Sequence, residues 1–81
     1  MPHVTIKLYP GRSEEQKQKL ADAVAAQVAT IAQCKPSSVS VALKEVEPAD
    51  WAEQVYKPEV LGRADELYVR PGYNPLEKQG E

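Results

Sequence analysis

His3-Val4-Thr5-Ile6-Lys7-Leu8-Tyr9-Pro10-Gly11-Arg12-Ser13-Glu14-Glu15-Gln16 decides the fold of this 81-residue chain. From His3 to Leu8 the residues alternate, with Val4, Ile6 and Leu8 on one face, the period of a half-buried strand. Tyr9-Pro10-Gly11-Arg12 ends the alternation, since Pro and Gly together punctuate a pattern. Ser13-Glu14-Glu15-Gln16 then reads as a capping box. The Ser13 hydroxyl accepts from the amide three residues on, and the Gln16 side chain reaches back to the Ser13 amide. The helix it opens is expected to carry Leu20, Val24, Val28 and Ile31 on one stripe, with Lys17, Lys19 and Asp22 away from it. It should stop near Gln33, because Pro36 biases Lys35 away from helical geometry.

Beyond the helix, Ser38 to Val46 reads as a second strand, with Val39, Val41 and Leu43 on one face and Ser40, Ala42 and Lys44 on the other. Strand, helix and strand make a βαβ unit, so the two strands should run parallel with a right-handed crossover. One helix covers one face of a two-stranded sheet, and two parallel strands alone are not stable. A second copy of the chain is the simplest cover for the other face. Glu47-Pro48-Ala49-Asp50 reads as a turn, and Trp51 to Tyr56 as a short helix capped by Asp50. Pro58 suits the first turn of another helix, with Val60, Leu61, Ala64 and Leu67 at helical spacing. Arg70-Pro71-Gly72-Tyr73 is a turn, and Asn74 to Glu81 is polar enough to be a flexible tail. The expectation is a single α+β domain over residues 1–81.

Ten basic residues stand against twelve acidic ones, a net charge of −2, and no basic stripe is visible. Nucleic-acid binding is therefore disfavoured. Leu20 to Ala32, the longest apolar-leaning stretch, is interrupted by Asp22, Gln27 and Thr30, so no membrane span is expected. Met-Pro-His-Val does not open a secretory signal. Cys34 is the only cysteine, which rules out an internal disulfide and suits a reducing compartment. A soluble, cytoplasmic protein without metal or cofactor is the expectation.

No Gly-rich phosphate loop, no Gly-x-Ser-x-Gly and no metal-spaced His/Cys/Asp set occurs. What remains unusual is Pro2. A small residue after the initiator Met allows Met1 to be removed, and the mature chain would then begin with a secondary amine, held at the start of a strand. On composition alone, a proline at position two merely leads into that strand. Likewise Arg12 reads as a solvated loop arginine, Trp51 as core, His3 as a surface or interface histidine, and Cys34 as a small hydrophobe. Tyr9 and Tyr73 carry no assignment.

Pro2, the alternating strand after it and Pro10-Gly11-Arg12-Ser13-Glu14-Glu15-Gln16-Lys17 resemble the opening of the 4-oxalocrotonate tautomerase family. Pro36-Ser37-Ser38-Val39-Ser40-Val41 is similar to that family's entry into its second strand. Glu47-Pro48-Ala49-Asp50-Trp51 and Arg70-Pro71-Gly72-Tyr73 resemble the longer subgroup, which includes bacterial phenylpyruvate/2-hydroxymuconate tautomerase-like proteins. The resemblance implies a β-α-β fold whose sheets pair across a dimer, and cofactor-free proton transfer on enols and α-keto acids. The short subgroup forms hexamers; the longer one includes dimers, so a homodimer is expected here.

The resemblance also assigns roles. Pro2 would be the general base and acid, Arg12 the clamp on the substrate carboxylate, and Trp51 an apolar wall where short members carry an aromatic residue. A guanidinium suits a planar carboxylate because it bonds it bidentately. Where short members carry a second arginine, this chain has Ser40, which brings no charge. That disfavours a dicarboxylate such as 2-hydroxymuconate and favours a monoacid with an apolar tail, for example an aryl enolpyruvate. Arg63 or Arg70 reaching into the pocket would weaken this inference. Two alternatives stay open: other proline-dependent chemistry of hydratase or dehalogenase type, and a non-catalytic dimeric ligand-binding module.

Overall fold

The first strand, β1, spans His3–Leu8, and the computed structural model describes residues 1–76 of the chain. Two compact units form, Met1–Glu45 and the residues from Val46 onward. In the first, β1 is followed by a loop, helix α1 (Glu14–Ala32), a 3₁₀ turn over Pro36–Ser38 and strand β2 (Ser40–Glu45). The strands are parallel, with His3 opposite Ser40, Val4 opposite Val41, Ile6 opposite Leu43 and Leu8 opposite Glu45. Partners in register share a face. Val4, Ile6, Leu8, Val41 and Leu43 therefore lie on one side, all half-buried, while His3, Thr5, Ser40, Ala42 and Lys44 on the other are exposed.

The loop between β1 and α1 turns at Gly11, whose φ of 128° is a conformation that side chains resist. The capping box forms as read: the Gln16 amide donates to Ser13 Oγ at 3.1 Å and the Ser13 amide to Gln16 Oε1 at 2.9 Å. The helix ends one residue before Gln33, which closes it in the left-handed conformation at φ 59°. The Cys34 amide returns to the Ala29 carbonyl at 3.0 Å, satisfying part of the helix end.

Two expectations for this unit need correction. The inward face of α1 is displaced from the expected stripe: Ala21, Val24, Ala25 and Val28 are half-buried and Ala29 buried, whereas Leu20 and Ile31 are exposed. Lys17, expected outside, is drawn in, because Glu45 at the end of β2 lies on the helix-facing side and pairs with it at 3.4 Å, while Glu14 pairs with it from the preceding turn. The second strand also begins at Ser40 rather than Ser38. The Ser38 amide and hydroxyl both donate to the Lys35 carbonyl, at 2.9 and 2.7 Å, so its hydrogen bonds close a local turn.

In the second unit a 3₁₀ turn over Pro48–Asp50 leads to Trp51, then to a π-helix over Ala52–Leu61 and a 3₁₀ turn over Ala64–Glu66. These are the two short helical elements expected beyond residue 50, with different boundaries. Trp51, not Asp50, occupies the cap, without a side-chain cap bond; Asp50 ends the preceding turn, its amide donating to the Glu47 carbonyl at 2.9 Å. The expected break at Pro58 is absent, and the first helix runs through it. In an α-helix the Pro58 ring would meet the carbonyl four residues back; a wider π turn moves that carbonyl away. The Gly62 amide closes the element on the Lys57 carbonyl at 2.8 Å. A Cβ at Gly62 would come within 2.5 Å of the Pro58 carbonyl oxygen, which is why glycine ends it. Val55 and Tyr56 are buried and Val60 and Leu67 half-buried, while Leu61 and Ala64 face outward. Of the tail expected over Asn74 to Glu81, residues 77–81 lie outside the described residues; at its start the Leu76 amide donates to Asn74 Oδ1 at 2.9 Å.

Candidate active site

Pro2 is half-buried at the head of β1, and its carbonyl accepts the Ser40 amide at 3.1 Å. That bond extends the ladder by one step and ties the residue into the sheet. Met1 before it is fully exposed. Ser40 opens β2 directly opposite His3, and the two side chains meet on the face of the sheet away from α1, with His3 Nδ1 and Ser40 Oγ 2.6 Å apart. The other edge of the imidazole lies 3.4 Å from Thr5 Oγ1. The alternation of a strand puts His3 and Thr5 on one face, and the parallel register adds Ser40. Further along the same face stand Lys7 and Lys44, opposite each other, and the two strands place no carboxylate there.

The remaining residues singled out from the sequence fall elsewhere. Arg12 is exposed in the loop beyond the far end of β1, its Nη1 donating to the Tyr9 carbonyl at 3.4 Å. A six-residue strand separates it from Pro2, about 20 Å at the usual rise. Within one copy the structure brings Pro2, His3 and Ser40 together and leaves Arg12 apart. Trp51, in the second unit, is half-buried, and its indole Nε1 donates to the Tyr73 hydroxyl at 3.0 Å. The Tyr73 ring in turn packs against Tyr56 at 5.7 Å between centroids, tilted by 50°, a favourable aromatic arrangement. Trp51 is thus held by a residue 22 positions away to which the sequence assigned no role. Nor did the sequence alone pair His3 with Ser40, because that pairing needs the strand register.

Two other features can be set aside. An open cleft of about 250 Å³ between α1 and β2 is lined by Glu14, Lys17, Gln18, Ala21, Val41 and Leu43. Its one cation is already neutralised: Glu14 above all, and then Glu45, hold the Lys17 ammonium pKa above its ordinary value of 10.5 against the opposing effect of burial. Cys34 is half-buried. Among the described residues no three His, Cys, Asp or Glu side chains converge as a metal site would need, and no helix is long and apolar enough to cross a membrane.

Comparison with known proteins gives the family of the chain. The sequence profile of the family described as "Tautomerase enzyme" matches residues 2–60. A "Probable tautomerase" of Xylella fastidiosa is 42% identical over 76 residues, covering 94% of this chain and 93% of the relative. "Tautomerase PptA" of Cronobacter sakazakii is 43% identical over 74 residues, covering 90% and 97% respectively. "Tautomerase PptA" of an Enterobacter species is 44% identical over 75 residues, covering 91% and 99%.

Proposed function

We propose that this chain, which belongs to the tautomerase family, interconverts enol and keto forms of α-keto acids, with Pro2 as the proton-transfer group once Met1 is removed. The observation that carries the reading is the bond from the Ser40 amide to the Pro2 carbonyl. It holds residue 2 in the sheet, so a terminal nitrogen there has a fixed place instead of a fraying one. General acid–base work is most effective when the group's pKa lies near the working pH. A free secondary amine is ordinarily too basic. A neighbouring guanidinium and an apolar wall each disfavour its charged form and bring it toward that range.

In this reading Arg12 bonds the substrate carboxylate bidentately. Pro2 moves a proton between the enol oxygen and the carbon beyond it, and Trp51 packs against the apolar tail. Ser40 stands where a second cation would otherwise be and brings no charge, which suits an aryl enolpyruvate or a similar monoacid. Because Arg12 sits about a strand length from Pro2 of its own copy, the Arg12 that serves a given Pro2 belongs to a second copy. The catalytic unit is then a homodimer at least, without cofactor, working on a small soluble acid in the cytoplasm.

The test starts from protein whose intact mass shows that Met1 has been lost. Ketonisation of an aryl enolpyruvate is expected, and Pro2→Ala, equally processed, should fall by at least about two orders of magnitude, the ordinary worth of a general base. Unchanged turnover in that variant would remove Pro2 from the mechanism.

A further inference from the structure

We propose that His3 is a positioning residue of this pocket, acting with Ser40 as one hydrogen-bonded unit that holds the oxygen on C2 of the enol acid. The inference rests on the reading of Pro2 as the proton-transfer group and adds to it a way of holding the charge that develops as the proton moves. Three observations carry it. His3 Nδ1 and Ser40 Oγ are 2.6 Å apart, so the hydroxyl is not a free rotor. The Ser40 amide is bonded to the Pro2 carbonyl, which makes Ser40 the residue of β2 whose backbone pairs with that of the proposed base. Thr5 Oγ1 lies 3.4 Å from Nε2, at the opposite edge of the ring.

These contacts admit a chain of donors that all point one way. The Thr5 hydroxyl donates to Nε2, Nδ1–H donates to Ser40 Oγ, and the hydrogen of Ser40 is left to point away from the imidazole toward a ligand oxygen. Each bond polarises the next. A hydroxyl anchored in this way is a preorganised donor for an oxygen that gains negative charge in the transition state, the kind of contact that accelerates a reaction rather than merely binding its substrate. A serine without His3 would have to give up rotational freedom to do the same.

His3 is the only histidine of the chain, so its ring nitrogens give unique signals in a ¹⁵N NMR spectrum. Adding the keto form of an aryl 2-oxo acid should shift those signals in the wild type and leave them unmoved in Ser40→Ala. In ketonisation assays His3→Leu and Ser40→Ala should each lower kcat about tenfold or more with little change in KM. The double variant should lose no more than the worse single one, because the two residues act as a unit. His3→Asn, whose amide nitrogen can replace Nδ1 as donor, should recover most of kcat. Melting temperatures of all variants separate these effects from unfolding. Losses that add in the double variant, no recovery in His3→Asn, or unshifted ring signals in an active wild type would each overturn the proposal. Shifted signals without turnover would instead support the pair and count against Pro2.

Discussion

Ser40 is the position where one side chain should decide which acid is turned over. Its hydroxyl can donate a hydrogen bond but brings no charge, so a second carboxylate finds no clamp at the head of β2. Ser40→Arg should raise kcat/KM on a dicarboxylate enol relative to an aryl monoacid by about one to two decades, the worth of a charge-assisted bond of roughly 1.5–3 kcal/mol. Arg12→Ala should weaken both substrates together, because both carry the carboxylate that Arg12 is proposed to hold. The quantity to compare is the ratio of the two kcat/KM values in each variant; a ratio unmoved by Ser40→Arg, with the fold intact, would take Ser40 out of the pocket. At this scale the sequence exposed single residues of unusual position, Pro2 above all. It concealed relations between residues: the His3–Ser40 and Trp51–Tyr73 contacts span 37 and 22 positions and depend on register and tertiary packing.

The elements repay separate measurement, since α1 is held at its start by one local device and along its length by another. Ser13→Ala removes the hydroxyl that accepts from the Gln16 amide, leaving only the backbone half of the capping box, and should cost about 1 kcal/mol. For a domain of this size that is a fall of about 4–8 °C in Tm, checked by calorimetry. The Lys17 ion pairs have a pH signature. Glu14 and then Glu45 raise the folded-state pKa of Lys17 above 10.5, so their contribution is complete below that value and disappears as the pH rises through the folded pKa. Lys17→Met should therefore melt lower than the wild type at neutral pH, and the gap should close at strongly alkaline pH; a gap independent of pH would assign it to packing. Strand, loop and cap could be read directly because each depends on neighbours in the chain. The inward face of α1 could not, because it depends on tertiary contacts: Lys17 turns in to pair with Glu45, 28 positions away, while Leu20 and Ile31 stay exposed. The π-helix escaped for a similar reason: Pro58 signals an interruption in α geometry, and the chain answers by widening the turn.

As a whole molecule, the protein leaves much of its apolar surface in water. Among the described residues no large side chain is fully buried, and Ile31, Leu61, Tyr68 and Val69 are 76%, 52%, 100% and 86% exposed. Ile31, Val28 and Ala32 line an open apolar groove with Gln27, and His3, Thr5, Ser40, Ala42 and Lys44 on the sheet face away from α1 are exposed. A chain this short stabilises itself with difficulty on such a core, so we expect an obligate homodimer. Sedimentation at micromolar concentration should give twice the 9.0 kDa chain mass, and a folded monomer under those conditions would argue against both the dimer and the shared site. The strand–helix–strand order was legible from periodicity alone, whereas the proposed site rests on a family resemblance, because Pro2 and Arg12 lie at opposite ends of β1. One bond described above also has a use as a clock. The Ser40 amide has the Pro2 carbonyl as its acceptor, so the rate at which its proton exchanges with deuterated solvent reports how often the first residue leaves the sheet. Slow exchange at Ser40 would mean a docked terminus, and exchange as fast as in a loose tail would mean a terminus that visits its place only briefly, whichever substrate is later found.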